Sequence, residues 1–288
     1  MGKRGCKAVA RGFATGFASI VFAMPALAQS ISPAQGLVQD RFVISGGVFV
    51  NTTDVTAELD GHSTANPEVD FDQTFGKASD SNRGRIDALW RISPRHHLRY
   101  LYFNNSNTRN RVLDRDIHWG DLIYRAGADV SSQTKLTIHE LAYEFAFLHE
   151  PTYEVSATFG VHYTDLSLQL SGTASITDPS GNVTSTGFVS KTSSLPAPLP
   201  VIGVRGGWAV APQWYLEAQA QLFKYKTDGY DGNWWDTKIS GTWMFSRNFG
   251  LGLGYNRFTS RVDVDREDFH GNLKLGYDGF QAFLTASF

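Results

Sequence analysis

The sequence predicts an all-β chain folded as a transmembrane antiparallel β-barrel, most simply of ten strands, with eight or twelve as the alternatives. Three observations lead there. Apolar and polar residues alternate with period two in one segment after another. Short and long connections between those segments alternate strictly. After residue 28 no run of about 18 apolar residues occurs, so no helix would cross a membrane. The composition agrees, since 28 glycines and 13% aromatics with only 19% charged residues suit strands better than helices.

Residues 1–28 read as a secretory signal peptide. Lys3, Arg4, Lys7 and Arg11 form a basic start without an acid, Gly12 to Leu27 is uncharged, and Ala26-Leu27-Ala28 is a small-residue cleavage site before Gln29. The only cysteine, Cys6, lies in this leader. The rest of the chain therefore has no disulfide, thiolate metal site or cysteine nucleophile. Without the four leader cations, 22 basic residues face 28 acidic ones, which argues against a nucleic-acid binder. Residues 29–40 are expected as a periplasmic N-terminal segment before a barrel over 41–288.

Ten strands are predicted: 41–59, 83–93, 97–110, 129–149, 153–172, 196–210, 214–227, 233–245, 249–263 and 270–288. Trp214, Leu216, Ala218, Ala220 and Leu222 alternate with Tyr215, Glu217, Gln219 and Gln221, and Phe249, Leu251, Leu253 and Tyr255 alternate with Gly250, Gly252, Gly254 and Asn256. A strand puts each apolar set on one face, whereas a helix would scatter it. Tight turns fall at Ser93-Pro94-Arg95-His96, His149-Glu150-Pro151-Thr152, Ala211-Pro212-Gln213 and Ser246-Arg247-Asn248, each with proline or asparagine to make the turn. Longer polar connections fall at 60–82, 111–128, 173–195, 228–232 and 264–269. Short turns at one end and long loops at the other match an outer-membrane barrel, and closure removes sheet edges that hydrocarbon could not satisfy. Trp208, Trp214, Phe245 and Phe249 beside short turns, and Tyr163, Trp234, Trp235 and Phe258 toward the long loops, suit two aromatic girdles.

If the apolar parity faces lipid, the other faces the lumen. That inward set holds Arg85, Arg91, Arg99, Arg205, Lys238 and Lys274 with Asp87, Glu140, Glu144, Glu154, Glu217, Asp236 and Asp278. The near balance of sign favours an ion-pair network filling a narrow lumen over an ion pathway. In the second long loop, Asp116 and His118 would share a face of an extended strand beside Asp114 and Asp121, where a carboxylate can orient an imidazole as a base. Asp114, Asp116 and His118 are the catalytic candidates, and the Asp116–His118 pair could alternatively begin a metal site; both are set against the plainer reading of an exposed acidic loop. The first loop is acidic, with Asp60, Glu68, Asp70, Asp72 and Asp80; the last, with Asp263, Asp265, Glu267, Asp268 and His270, has the oxygen density to hold Ca²⁺ or bridge divalent ions on lipopolysaccharide, set against solvated charge because EF-hand spacing is absent. No G-x-S-x-G or H-E-x-x-H motif is present.

The end of the chain, with Phe280, Ala282, Leu284, Ala286 and Phe288 in one register, resembles the C-terminal assembly signal of outer-membrane proteins. Leu273, Leu275 and Tyr277 lie on the opposite parity, which either a bulge near Asp278-Gly279 or a position of the early part outside the membrane would reconcile. The run Leu89-Trp90-Arg91-Ile92-Ser93-Pro94-Arg95-His96-His97-Leu98, with Ile117-His118-Trp119-Gly120-Asp121, resembles an uncharacterised family of proteobacterial outer-membrane β-barrel proteins; the resemblance implies a location and no activity. Asp114-Arg115-Asp116 resembles the Asp-x-Asp motif of the omptins, ten-stranded barrel proteases with a catalytic rim, and Glu150-Pro151-Thr152-Tyr153 echoes their Asn-x-x-Tyr run. The omptin Asp-x-His partner has no counterpart in Asp228-Gly229-Tyr230-Asp231, where histidine is missing.

The expected function is a non-enzymatic envelope or surface-contact role for an integral outer-membrane barrel with a charged, largely filled lumen. A narrow channel for small solutes and an omptin-like rim hydrolase are the alternatives. No cofactor or metal is expected. The expected partners are outer-membrane lipid, lipopolysaccharide and, during biogenesis, the barrel assembly machinery.

Overall fold

The computed structural model describes residues 31–57, 69–70, 74, 83–119, 122–177, 182–227, 230–266 and 269–288. The expected signal peptide, the loop acids Asp60, Glu68, Asp72, Asp80, Asp121, Asp228, Glu267 and Asp268, and Gly120 and Gly229, lie outside the described residues.

The first described element is helix α1, Pro33–Gln39. Pro33 is preset for a first helical turn, and the Gln35 side chain accepts the Ser32 N–H at 2.8 Å. The helix stops at Asp40, whose backbone is extended.

Ten strands follow: β1 Phe42–Ala57, β2 Arg83–Ser93, β3 His96–Val112, β4 Asp129–Glu150, β5 Tyr153–Thr177, β6 Val183–Ala211, β7 Trp214–Thr227, β8 Tyr230–Met244, β9 Phe249–Arg266 and β10 Phe269–Ser287. Each pairs antiparallel with the next. β10 returns to β1, with Val43 opposite Ser287 and Ala57 opposite Leu273, so the sheet closes. Phe42 and Phe288 finish the closure by exchanging backbone hydrogen bonds of 2.9 Å in both directions.

Polarity is inverted relative to a water-soluble core. Glu144, Glu154 and His97 are fully enclosed, while Leu253 is 66% and Ile239 62% exposed. Trp208, Trp214, Phe245 and Phe249 are exposed beside the short turns, and Tyr163 and Trp235 are exposed nearer the long loops. Trp234 and Phe258, expected with this outer girdle, instead point inward and are buried. Neighbours along a strand face opposite ways, so Trp234 and Trp235 could not both face out.

Three further expectations are corrected. The third long connection is largely a ribbon, because β5 and β6 stay paired from Tyr153 opposite Trp208 up to Thr177 opposite Val183. No bulge occurs at Asp278-Gly279, and β10 runs in unbroken register against β1 and β9. Leu275, Tyr277, Gln281, Thr285 and Ser287 therefore all face inward. Lys274 and Asp278 consequently stand on the outward parity and are not lumen charges; Asp278 accepts a hydrogen bond from the outward Tyr255 hydroxyl at 2.9 Å.

Inside the wall the lumen is layered. At the short-turn end α1 packs through Ala34, Leu37 and Val38 onto Ala209, Tyr215 and Met244. Gly207 makes room for that layer, since a Cβ there would lie 1.9 Å from the Tyr215 hydroxyl. Charged side chains fill the middle. Toward the long loops an apolar layer gathers Phe49, Phe103, Leu136, Ile138, Leu168, Leu170, Trp234, Phe258 and Tyr277. Short loop strands at Ile117–Trp119 and Leu122–Tyr124 fold onto it; Leu122 pairs with Ile176 of β5.

Candidate functional site

The middle layer of the lumen is the densest set of chemically capable side chains, and each arrives by strand parity. Arg91 and Asp87 come from β2, Arg99 from β3, Glu144 from β4, Glu154 from β5, Arg205 from β6, Glu217 from β7 and Lys238 from β8. Arg205 bridges Glu144 at 2.8 Å, Glu154 at 2.7 Å and Glu217 at 3.3 Å. Arg99 forms a fork on Asp87 at 3.0 and 2.5 Å and also donates to Gln219. Lys238 lies 2.7 Å from Glu217 and 3.7 Å from Asp87, and Arg91 lies 3.0 Å from Glu154.

Four cations thus face four carboxylates in one connected group, and its formal charge cancels. Such a network satisfies its own buried charges and offers no one-signed ring to draw an ion through. Beside it, Asn256 joins Arg85 to Asp236, at 2.9 and 3.0 Å, and Gln221 donates to Glu140 at 2.8 Å. Apart from Lys274 and Asp278, the charges expected in the lumen are brought together here.

The network also holds the helix. Arg91 donates to the backbone carbonyls of Asp40 and Leu37 at 2.8 Å each, so one guanidinium ties α1 to Glu154. Arg247, in the last short turn, clamps the Asp40 carboxylate at 2.7 and 2.6 Å. That pairing raises the Arg247 pKa above its ordinary value. Between Leu37, Tyr215, Glu217, Lys238 and Phe283 a cavity of about 60 Å³ remains, room for about two waters. Sequence alone did not reveal α1 as part of this site, although Ser32-Pro33 followed by Gln35 is a readable helix start.

Of the rim candidates, Asp116 and His118 lie close enough for the imidazole to act electrostatically on the carboxylate. Asp116 bonds Arg125 at 2.7 Å and accepts the Ala126 N–H at 2.8 Å, and these bonds pull its pKa below the ordinary carboxylate value. It is the clasp of the loop hairpin. His118 stands on the paired strand opposite Ile123, and Asp114 is exposed. Among the described residues no group of three metal-binding side chains assembles.

No family model matches the chain, and no curated protein sequence matches it. Solved structures do. The outer membrane protease OmpT from Escherichia coli aligns with a TM-score of 0.58 at 10% identity, over 86% of this chain and 96% of that one. The translocator domain of autotransporter NalP from Neisseria meningitidis aligns at 0.45 and 11% identity, over 87% and 89%, and the toluene transporter TodX from P. putida at 0.39 and 9%, over 90% and 92%. The last two likenesses are loose and support nothing further. With the closed sheet and its inverted polarity, the first is a likeness of fold: the chain is a ten-stranded antiparallel β-barrel of the outer-membrane type.

Proposed function

We propose that the protein is a non-enzymatic outer-membrane barrel with a closed lumen, working through its outward and loop surfaces at the cell envelope. The observation that carries this reading is the layering of the lumen, with α1 at one end, a charge-neutral network in the middle and an apolar layer at the other. Water and ions would have to cross all three. The lengths of the strands support the surface role. A strand needs about 9–11 residues to cross a bilayer, whereas β5 has 25 and β6 has 29, so their ribbon stands well clear of the membrane. The reading includes export behind a leader cleaved after Ala28, with outer-membrane lipid and lipopolysaccharide as surroundings and the barrel assembly machinery as the agent of insertion.

The test is electrical and chemical. Purified protein in planar bilayers is expected to give no steady conductance, and with lipopolysaccharide it is expected to leave a diverse peptide library uncut. Steady single-channel steps would put the channel reading first. Cleavage that disappears on Asp116→Ala, His118→Ala would put the rim hydrolase first.

A further inference from the structure

The barrel wall contains a seam. β6 and β7 are paired from Ala211 opposite Trp214 to Ile202 opposite Leu222, and there the ladder ends. Both strands continue. β6 stays paired with β5 back to Val183, and β7 with β8 out to Thr227 opposite Tyr230. Among the described residues, 197–201 and 223–227 are therefore neighbouring stretches of strand without a ladder between them.

The sequence supplies the cause. The Ala209 N–H donates to Thr152 O at 2.7 Å, on the β5 side of β6. Amides alternate sides along an antiparallel strand, so the odd-numbered amides of β6 serve β5 and the even-numbered ones face β7. Pro196, Pro198 and Pro200 occupy three consecutive even positions. They take nothing from the β5 ladder and remove three donors in a row from the β7 side, while their carbonyls still point there.

The apolar interior reaches the surface at this seam. Leu199 and Phe223, partly buried, pack against the inner apolar layer. Tyr225 shares the inward parity of Tyr215 and Gln221, yet it is 53% exposed, and its ring stacks on Phe223 at 6.1 Å. About ten residues from the Trp214 end bring a tilted strand to the outer edge of the apolar band. On β7 that level is Lys224, and on β5 it is Tyr163, which lies opposite Pro198. Lys224 and Lys226 stand on the outward parity beside the gap, Lys226 at 3.3 Å from Asp231.

We propose that the seam is a lateral site for one acyl chain of an outer-leaflet glycolipid, with the lipid phosphate on Lys224 and Lys226. A hydrocarbon chain needs no hydrogen bonds and suits the Leu199, Phe223 and Tyr225 surface. A sugar headgroup brings hydroxyl donors for the proline carbonyls, and its phosphate meets the two lysines. An added strand from a second copy would find three missing donors. The inference rests on the outer-membrane reading above and adds a specific site to it.

The experiment places a photoreactive benzophenone amino acid at position 225, or at 216 as the lipid-facing control, with the protein in phosphatidylcholine nanodiscs doped with lipid A. Illumination is expected to give a lipid A adduct at 225 and mainly phosphatidylcholine adducts at 216. The lipid A share at 225 is expected to fall about ten-fold on Lys224→Ala, Lys226→Ala. Pro198→Thr, Pro200→Thr restores two donors toward β7 and is expected to abolish labelling at 225 while sparing 216. Labelling at 216 with none at 225, an adduct at 225 with phosphatidylcholine alone or with a second copy of the chain, or indifference to the lysine or proline changes would overturn the site. No lipid adduct at either position would overturn the membrane reading beneath it.

Discussion

Arg205 carries the middle of the barrel. Its guanidinium meets three carboxylates from three other strands and is 2% exposed. Removing one member of a buried ionic group leaves the others without compensation, at a cost of about 3–5 kcal/mol. Arg205→Met is therefore expected to lower the unfolding free energy of the reconstituted barrel, read from its urea transition, by that amount, and Arg205→Lys by less, because lysine keeps the charge and loses the fork. Asp116 presents the contrasting case at the surface. Its carboxylate is most stable ionised, held by Arg125 and the Ala126 N–H, so its pKa lies below the ordinary value. A depressed acid contributes stability above the ordinary carboxylate range and loses it as pH falls through the depressed value. Protection of the Ala126 amide against hydrogen exchange, corrected for its intrinsic rate, is expected to persist through the ordinary carboxylate range and to fail only below it. In Asp116→Ala the protection is expected to be absent at neutral pH.

At the level of elements, α1 shows how a short helix is held without intrinsic stability. Seven residues cannot sustain a helix in water, and besides its apolar packing four polar attachments hold this one: the Arg91 fork, the Arg247 clamp on Asp40, the bond from the Ala34 N–H to Pro212 O at 2.9 Å, and the bond from Gln39 to Pro151 O at 2.8 Å. Asp40→Ala removes the charged clamp, a group of bonds worth about 1–3 kcal/mol. The partial exposure of Arg247 reduces that value. Hydrogen exchange over 33–40 is expected to accelerate about ten-fold, with the strands unchanged; equal acceleration throughout the barrel would mean that Asp40 supports the wall itself. Much of this level was legible beforehand. Each predicted strand from 83–93 to 270–288 overlaps a strand of the structure, because tight turns with proline or asparagine bound them locally. The start of β6 was missed, since Ser, Thr and Gly-rich stretches read as loop and become ribbon only when a partner strand runs alongside.

At the scale of the molecule α1 packs at one end of the lumen and the apolar layer at the other, and on the proposed reading each closes it. Deleting residues 33–39 would expose the charged middle to the short-turn side and leave the second closure in place. The truncated barrel is expected to remain non-conducting in planar bilayers while a water-soluble cysteine reagent gains access to an introduced Tyr215→Cys. Conductance in the truncation would show that the helix is the only barrier.

The sequence by itself determined the class of fold and the end at which turns are tight, and ten was the simplest of the strand counts it left open. These follow from local causes, namely side-chain alternation and turn chemistry. Only the tertiary structure decided which way β10 faces. Period two shows that a strand has two faces but cannot say which is inward when both carry apolar residues, as around Leu275, Tyr277 and Phe280. The hydrogen-bond register with β1 and β9 chose, and it turned Lys274 and Asp278 outward. The apolar inner layer, the helix in the short-turn mouth and the seam at Pro196, Pro198 and Pro200 were decided in the same way. Each depends on what a distant segment places opposite, and closure of the barrel is what brings those segments together.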